Sequence, residues 1–171
     1  MSRRPVPERP GPGQESAWDY PRPPRLERSE ELVEVEHAGR LVASTRAAWR
    51  VLETSHPPAY YLPAEAFAPG TLRRCEGASW CEWKGQASYF DLVVPDGSGG
   101  EVVVPRAAWT YEHPTPGFAG LAGAVAVMPA LVDRCRVDGE TVVPQPGGFY
   151  GGWITSRVVG PFKGGPGTSG W

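Results

Sequence analysis

The chain has 171 residues with 40% hydrophobic and 21% charged side chains, the composition of an ordinary soluble globular protein. Its formal net charge of −2 excludes the basic footprint of a nucleic-acid-binding protein or of a polybasic membrane surface, so we expect neither partner. The 22 glycines, 20 prolines and 7 tryptophans favour turns and short strands over long helices.

The N-terminal residues differ in composition from the rest of the chain. Residues 1–15 are rich in proline and arginine and have little to bury, which predicts a disordered tail. Residues 16–171 are predicted to form a single domain with wrapping straps at both ends. We find no secretory signal, and no apolar run approaches the roughly 20 residues that a spanning helix needs. Together with an odd number of cysteines, this predicts a cytoplasmic protein without a disulfide framework.

Short strands joined by turns are predicted along most of the chain. Alternating residues in 32–38 and 41–43 predict a β-hairpin, and turn residues at 96–100 and 138–139 predict two more. Residues 46–53 predict a short amphipathic helix. Further strands are predicted at 59–63, 71–75, 87–94, 101–104, 107–111, 125–128, 132–137 and 140–143. The predicted fold class is therefore mostly β, with one or two short helices.

The strongest functional signal is the stretch 81–90, CEWKGQASYF, which holds a thiol, an indole, an ammonium and a phenol. It follows a turn-rich loop and leads into a predicted strand, and loops that carry such groups on a rigid sheet are usual functional sites. A lysine between a tryptophan and a glycine, as at Lys84, is not the pattern of a buried core. We therefore expect the site to be built around this stretch.

Aromatic side chains recur on the predicted strands and on the central stretch, at Tyr60, Tyr61, Trp80, Trp83, Tyr89, Trp109 and Tyr111. Rings that face one another from short strands can wall a largely apolar pocket. Lys84, Arg50 and Glu53 are candidates to fix a ligand there by charge, and arginine suits a carboxylate or a phosphate. The alternative is that the rings simply form the hydrophobic core.

An enzymatic alternative has Cys81 as its nucleophile, in a group transfer or a hydrolysis. A nearby cation such as Lys84 lowers the pKa of a thiol, and His56 or His113 can act as the base if the fold brings it close. A phosphate-binding loop is not predicted, because residues 161–168 carry glycine, lysine and threonine in the wrong order.

Zinc is not expected, because structural zinc sites use close cysteine pairs. Five residues separate Cys75 from Cys81, and Cys135 stands alone. The chain also has no Asp-x-Asp pair for the two-metal chemistry of nucleotidyl transfer. We therefore expect no metal and no cofactor.

Three segments carry a family resemblance: residues 52–63 (LETSHPPAYYLP), 81–89 (CEWKGQASY) and 108–111 (AWTY). In this order they resemble the bacterial family called domain of unknown function 427, over about residues 30–145. Glu82 stands where the family usually carries proline, which loosens the start of the loop but leaves the tryptophan-lysine-glycine motif intact.

The resemblance implies a β-tent fold, in which two antiparallel sheets meet at an angle. In similar domains the junction of the sheets holds either zinc or an aromatic cage. Because this chain lacks the cysteine pairs, the resemblance implies an aromatic cage here and not a zinc site. The family also bears a nucleotidyltransferase-like label, which the missing carboxylate pair does not support.

The leading functional hypothesis is a small-molecule-binding domain with a polar or anionic ligand in an aromatic pocket. The predicted ligand-binding residues are Tyr60, Tyr61, Trp83, Lys84, Tyr89, Trp109, Tyr111, Arg50 and Glu53. The alternatives are an enzyme with Cys81 and Lys84 as catalytic residues, or a structural or oligomerising module. Exposed edge strands would also allow a homodimer.

Overall fold

Most strands and helices of the chain are short. The computed structural model describes residues 4–171, and residues 1–3 of the predicted tail lie outside them. The strands, in chain order, are β1 (Glu15–Ser16), β2 (Arg25–Arg28), β3 (Val33–His37), β4 (Arg40–Thr45), β5 (Trp49–Leu52), β6 (Ala59–Pro63), β7 (Leu72–Cys81), β8 (Gly85–Pro95), β9 (Glu101–Thr110), β10 (Ala124–Val127), β11 (Arg134–Val137), β12 (Glu140–Thr141), β13 (Val143–Pro144), β14 (Trp153–Ile154) and β15 (Val158–Val159). The helices are 3₁₀ turns at Ala17–Asp19, Ala64–Ala66, Pro116–Leu121 and Pro129–Leu131. None of these helices is long and apolar enough to cross a membrane, which holds for the described residues.

Two antiparallel sheets make up most of the fold. Within residues 4–171, the larger has seven strands in the order β2-β5-β6-β10-β9-β8-β7, and the smaller has four in the order β12-β11-β3-β4. A parallel pair, β1–β15, joins the two ends of the chain, and an antiparallel pair links β13 to β14. The predicted mostly-β fold, with antiparallel sheets and only short helices, is confirmed.

The main core lies between the smaller sheet and one face of the larger sheet. Alternation along β3 buries Val33 and Val35 and turns the intervening Glu34 to the other face. Trp153 from β14 packs against Tyr60 in this core, with 5.0 Å between ring centroids. Its indole N–H donates to the carbonyl of Val127 at 3.3 Å. This face of the larger sheet is therefore filled by packed side chains.

The opposite face of the larger sheet carries a second hydrophobic cluster. Tyr61 and Ala126 lie in this cluster, whereas Tyr60 lies in the main core, because neighbouring side chains of a strand point to opposite faces. The 3₁₀ helix Pro116–Leu121 packs two of its side chains against the second cluster. The functional candidates described below gather on this second face.

The three long strands β7, β8 and β9 are irregular at corresponding places. The pairing register shifts between Cys75 and Ala78 on β7 and between Phe90 and Leu92 on β8. On β9 the irregularity includes Arg106, whose φ of +50° lies in the left-handed region. Bulges of this kind bend strands and re-aim side chains. They let the ends of β7 and β8 that flank the central stretch curl away from the main core.

The helix predicted over residues 46–53 is wrong. Trp49–Leu52 form β5, which pairs with β2 on one side and with β6 on the other. One isolated helical turn is unstable by itself, whereas a central strand satisfies its backbone groups on both sides. The strand also places Val51 and Arg50 on opposite faces, where each finds a partner. Long-range pairing therefore overrides a weak local helical pattern.

The two ends of the chain lie side by side. Residues 4–14 contain no helix or strand, but the backbone N–H of Glu8 donates to the carbonyl of Gly160 at 2.8 Å. The division of the chain into a disordered tail over 1–15 and a single domain over 16–171 stays a prediction.

Candidate functional site

A row of side chains crosses five strands on the second face of the larger sheet. Directly paired residues share a face, and the pairs Tyr89–Trp109, Trp109–Ala126, Ala126–Tyr61 and Tyr61–Trp49 run in sequence from β8 to β5. The small side chain of Ala126 lets the rings of Tyr61 and Trp109 meet, with centroids 6.4 Å apart and planes at 89°. The strand register therefore builds an aromatic wall from residues distant in sequence.

A cavity of about 420 Å³ opens on this face, and we call it the aromatic cavity. One side is the large sheet and the other is the C-terminal segment, defined as residues 145–163. The sheet side is lined by Val51, Glu53, Ala59, Tyr61, Ser79, Trp80, Cys81, Lys84, Ala87, Tyr89, Trp109 and Tyr111. The C-terminal segment contributes Gln145, Phe149, Tyr150, Gly151, Gly152 and Lys163, and His56 joins them from the loop between β5 and β6. Trp80 and Phe149 are 74% and 80% exposed and thus mark the rim.

Most of the residues predicted to form the site come together in the aromatic cavity. They are Glu53, Tyr61, Cys81, Lys84, Tyr89, Trp109 and Tyr111. Trp83 packs against the second hydrophobic cluster but does not line the cavity.

Tyr60 and Arg50 do not line the aromatic cavity, contrary to the sequence analysis. They are paired across β5 and β6 on the opposite face of the sheet from Tyr61. The Tyr60 hydroxyl donates to Glu31 at 2.9 Å. Arg50 donates to carboxylates of the N-terminal part of the chain, at 2.8 Å to Glu15 and 2.6 Å to Glu27. The Arg50 guanidinium and the Tyr60 hydroxyl therefore bind these glutamates on the other face of the sheet.

The turn that carries Lys84 is fixed by its backbone. Gly85 has a φ of +105°, a conformation that side-chain-bearing residues rarely adopt, which explains the glycine after the lysine. Thr115 holds the turn from outside: its N–H donates to the carbonyl of Lys84 at 3.0 Å, and its hydroxyl donates to that of Trp83 at 2.5 Å. The Lys84 ammonium lies 5.5 Å from the ring centroid of Tyr111.

Lys84 remains a cation at neutral pH. Burial lowers the pKa of Lys84, but the Tyr61 hydroxyl and the Cys81 thiol raise it, and the net result is a pKa above the ordinary lysine value. The aromatic cavity therefore presents a permanent positive charge beside its phenol rings.

The aromatic rings are held in place by hydrogen bonds as well as by packing. The Trp109 indole N–H donates to the Tyr61 hydroxyl oxygen at 3.2 Å. The Tyr89 hydroxyl and the Ser79 hydroxyl share a hydrogen bond of 2.6 Å. Tyr61 is buried, whereas Tyr89 and Trp109 are half-buried. The rings thus form a fixed wall that still leaves surface open to a ligand.

The C-terminal segment supplies a hydrogen-bond network that no motif in the sequence predicts. The Gln145 side-chain oxygen accepts the Gly152 N–H at 3.1 Å. Its amide nitrogen therefore donates twice, to the Lys163 carbonyl at 2.7 Å and to His56 Nδ1 at 3.0 Å. The one signal in the sequence is the concentration of glycine and aromatic residues in this segment, which predicts only a wrapping strap.

The same network fixes the protonation of His56. Because Nδ1 accepts a hydrogen bond, the ring proton lies on Nε2, which is 3.5 Å from a carboxylate oxygen of Glu53. Burial and the nearby Lys163 lower the pKa of His56, and together they outweigh the opposing effect of Glu53. Arg22 also pairs with the Glu53 carboxylate, at 3.2 Å. His56 is thus neutral at neutral pH.

The three cysteines lie in three different environments. Cys81 is half-buried and lines the aromatic cavity, Cys75 is half-buried at the bend of β7, and Cys135 is buried in the main core, where burial raises its pKa to about 12. Among residues 4–171, no group of three or more histidine, cysteine, aspartate and glutamate side chains is placed to hold a metal ion. The expectation of no metal and no cofactor stays a prediction.

These features define a class: a mostly-β domain whose large curled sheet carries an aromatic cavity on one face. Residues 25–138 match the family model NTP_transf_9, described as Domain of unknown function (DUF427). The chain belongs to this family, as the resemblance predicted. The matched range includes the sheet side of the cavity, whereas Gln145, Tyr150 and Lys163 lie beyond it. A search of curated proteins found no match.

Proposed function

We propose that this protein binds a small organic molecule with a planar, apolar body in the aromatic cavity. The observation that carries the proposal is the row of rings formed by Tyr89, Trp109 and Tyr61, which borders an open cavity of about 420 Å³ instead of closing into solid packing. Ligand pockets are typically concave, roughly 300–1,000 Å³, and mostly apolar with a few polar groups. The aromatic cavity fits each of these properties.

Rigidity of the wall supports the same function. Trp109 and Tyr89 each have a hydrogen bond that fixes the ring, to Tyr61 and Ser79 respectively. The guanidinium of Arg106 also lies 4.2 Å from the centroid of the Tyr89 ring. A preformed wall loses little conformational entropy when a ligand binds, which favours affinity. Flat surfaces of Trp109 and Tyr89 are suited to stack on a planar ligand.

The test uses the neutral fluorescent probe N-phenyl-1-naphthylamine and a variant that fills the cavity. Ala59 lines the cavity and Ala78 is exposed on β7 outside it, so Ala59→Phe and the control Ala78→Phe add the same ring at two strand positions. We expect saturable binding to the wild type and to Ala78→Phe, and at least tenfold weaker binding to Ala59→Phe. Absence of saturable binding to the wild type, or equal binding to both variants, contradicts the proposal.

A second candidate function is an enzyme that uses Cys81 and Lys84. The observation in its favour is that both residues line the aromatic cavity from the two ends of one tight turn. A cation beside a thiol stabilises the thiolate, which is the reactive form. The reaction class would be a group transfer or a hydrolysis with Cys81 as nucleophile.

Alkylation by iodoacetamide at neutral pH tests the nucleophile. Cys135 is buried with a raised pKa and is the internal reference for an unreactive thiol. The enzymatic candidate predicts that Cys81 reacts first and that Lys84→Met slows its reaction about tenfold. A Cys81 that reacts no faster than Cys135, or whose rate ignores Lys84→Met, removes this candidate.

A cytoplasmic location is part of the proposal. It is supported by the three cysteines, which are all free thiols in the structure. Fractionation of the native cells tests it: recovery of the protein with the cytoplasmic fraction agrees with the proposal, and recovery with the secreted or membrane fraction would oppose it.

A further inference from the structure

The lysines of this chain have an unusual distribution. Seventeen residues are lysine or arginine, and the two lysines, Lys84 and Lys163, both line the aromatic cavity. None of the arginines within residues 4–171 lines it. A sequence that uses arginine almost everywhere else has therefore placed both of its ammonium groups at one cavity.

The two lysines enter the cavity from opposite sides and in matching surroundings. Lys84 comes from the β7–β8 turn, and its ammonium lies 5.5 Å from the ring centroid of Tyr111. Lys163 comes from the C-terminal segment, and its ammonium lies 5.7 Å from the ring centroid of Tyr150. Each distance is within the range of a cation–π contact. The rings of Tyr111 and Tyr150 thus stabilise the two ammonium groups without neutralising their charge.

Neither ammonium has a carboxylate partner in the part of the chain that the structure describes. Glu53 supplies the one carboxylate among the described residues that line the aromatic cavity. Its negative charge is paired with the Arg22 guanidinium at 3.2 Å, and the neutral His56 ring lies 3.5 Å from the same carboxylate. Two half-buried ammonium groups without a counter-ion attract an anion from solution, because partly buried charges are favourable only when paired.

We propose that the ligand is a small organic anion, whose carboxylate, sulfonate or phosphate group is bound by Lys84 and Lys163 while its planar body stacks on the rings. This inference rests on the proposed function and narrows its ligand class. Lysine can fill this role because its ammonium is a compact point charge with three hydrogen-bond donors on a flexible stem. Lys163 lies outside the family-matched residues 25–138, so part of this selectivity belongs to the C-terminal segment.

The experiment compares two probes that share one ring system. 8-Anilinonaphthalene-1-sulfonate carries a sulfonate, and N-phenyl-1-naphthylamine is its neutral counterpart. Both are titrated into the wild type, Lys84→Met, Lys163→Met and the control Arg46→Met. Arg46 is exposed and outside the cavity, so the control removes the same charge elsewhere. Ala59→Phe shows how much of each signal comes from the cavity.

We expect the anionic probe to bind the wild type at least tenfold more tightly than the neutral one. Each lysine variant should weaken the anionic probe about tenfold, as expected for loss of a charge-assisted contact, and leave the neutral probe within about twofold. Arg46→Met should leave both affinities unchanged. Retained binding of the neutral probe shows that the lysine variants are folded.

Three outcomes overturn the inference, and they are distinguishable. Equal affinity for the two probes, with no effect of either lysine substitution, would leave the cavity as a neutral-ligand site and reject the anion. An equal loss with Arg46→Met would assign the preference to overall charge. If neither probe binds the wild type saturably, the proposed function itself fails, and this inference fails with it.

Discussion

The indole N–H of Trp109 donates to the hydroxyl oxygen of Tyr61, 3.2 Å away, and the two rings meet at 89°. This contact joins β9 to β6 across the intervening strand β10 and sets the shape of the aromatic wall. The neighbouring Tyr60 has the same hydroxyl but points to the other face of the sheet. The two tyrosines therefore offer a matched pair of substitutions.

Tyr61→Phe and Tyr60→Phe should lower the stability of the protein equally but differ in their effect on probe binding. Each removes one buried hydroxyl with a hydrogen-bond partner, so each should lower the free energy of unfolding by about 1 kcal/mol in urea titrations. Tyr61→Phe should also weaken N-phenyl-1-naphthylamine binding about threefold, because Trp109 loses its restraint. Tyr60→Phe should leave probe binding unchanged. The same change in probe affinity for both variants would contradict the assignment of faces.

Gly151→Ala should disturb the wall through Trp109. A Cβ at Gly151 would lie 2.3 Å from the Trp109 ring, so the indole or the C-terminal segment must move. We expect a loss of about 1–3 kcal/mol in the free energy of unfolding, as for overpacking, and weaker probe binding. Gly117→Ala is the control, because a Cβ there meets nothing within 4 Å. Wild-type stability and affinity in Gly151→Ala would show that the close approach is not needed.

Gln145→Leu should loosen the C-terminal side of the cavity. The buried Gln145 side chain bonds the Gly152 N–H, the Lys163 carbonyl and His56, and leucine would leave these groups without that partner. The expected loss is about 2–4 kcal/mol in the free energy of unfolding. Gln86→Leu, at an exposed position, should stay within about 0.5 kcal/mol of the wild type. Similar unfolding curves for the two variants would refute the role of Gln145.

His56 should make the protein less stable in mild acid. Its pKa is lowered in the folded state by burial and by Lys163, so the unfolded chain takes up the proton first as the pH falls below about 6.5. Stability from the neutral ring is thus complete above that pH and declines below it, until the folded state is protonated too. Comparing the free energy of unfolding at pH 7 and pH 5 measures this loss.

Substitutions identify the histidine responsible. His56→Gln should reduce the fall in stability between pH 7 and pH 5, whereas His113→Gln, at an exposed position, should leave it as in the wild type. An unchanged fall in His56→Gln would mean that other groups, such as carboxylates, cause the acid sensitivity.

The sequence predicted the sheet fold well because alternation and turn chemistry are local signals. The hairpin at Asp138-Gly139 and the long one around residues 96–100 form where the turn residues predicted them. The central stretch also carries Cys81 and Lys84 into the cavity, since a strand and a tight turn place them directly. The helix prediction for residues 46–53 was wrong because pairing with β2 and β6 determines the structure there.

The candidate site was predictable only on its sheet side. Tyr60 and Tyr61 point to opposite faces of the sheet, and only one of those faces borders the cavity. Because both faces are apolar, the alternation of side chains alone does not predict which tyrosine lines the cavity. Lys163 and Gln145 reach the cavity through a glycine-rich segment whose path is set by tertiary contacts. Composition describes such a segment as a strap but does not show which groups it brings to a site.

The measurement that tests the central claim most directly is the indole N–H spectrum of the protein by ¹H–¹⁵N NMR during titration with N-phenyl-1-naphthylamine. Trp109 lines the aromatic cavity, and Trp153 is buried in the main core on the other side of the sheet. We expect a saturable shift of the Trp109 resonance, identified by its loss in Trp109→Phe, with the Trp153 resonance unchanged. A Trp109 resonance that does not move, or that moves together with that of Trp153, would contradict it.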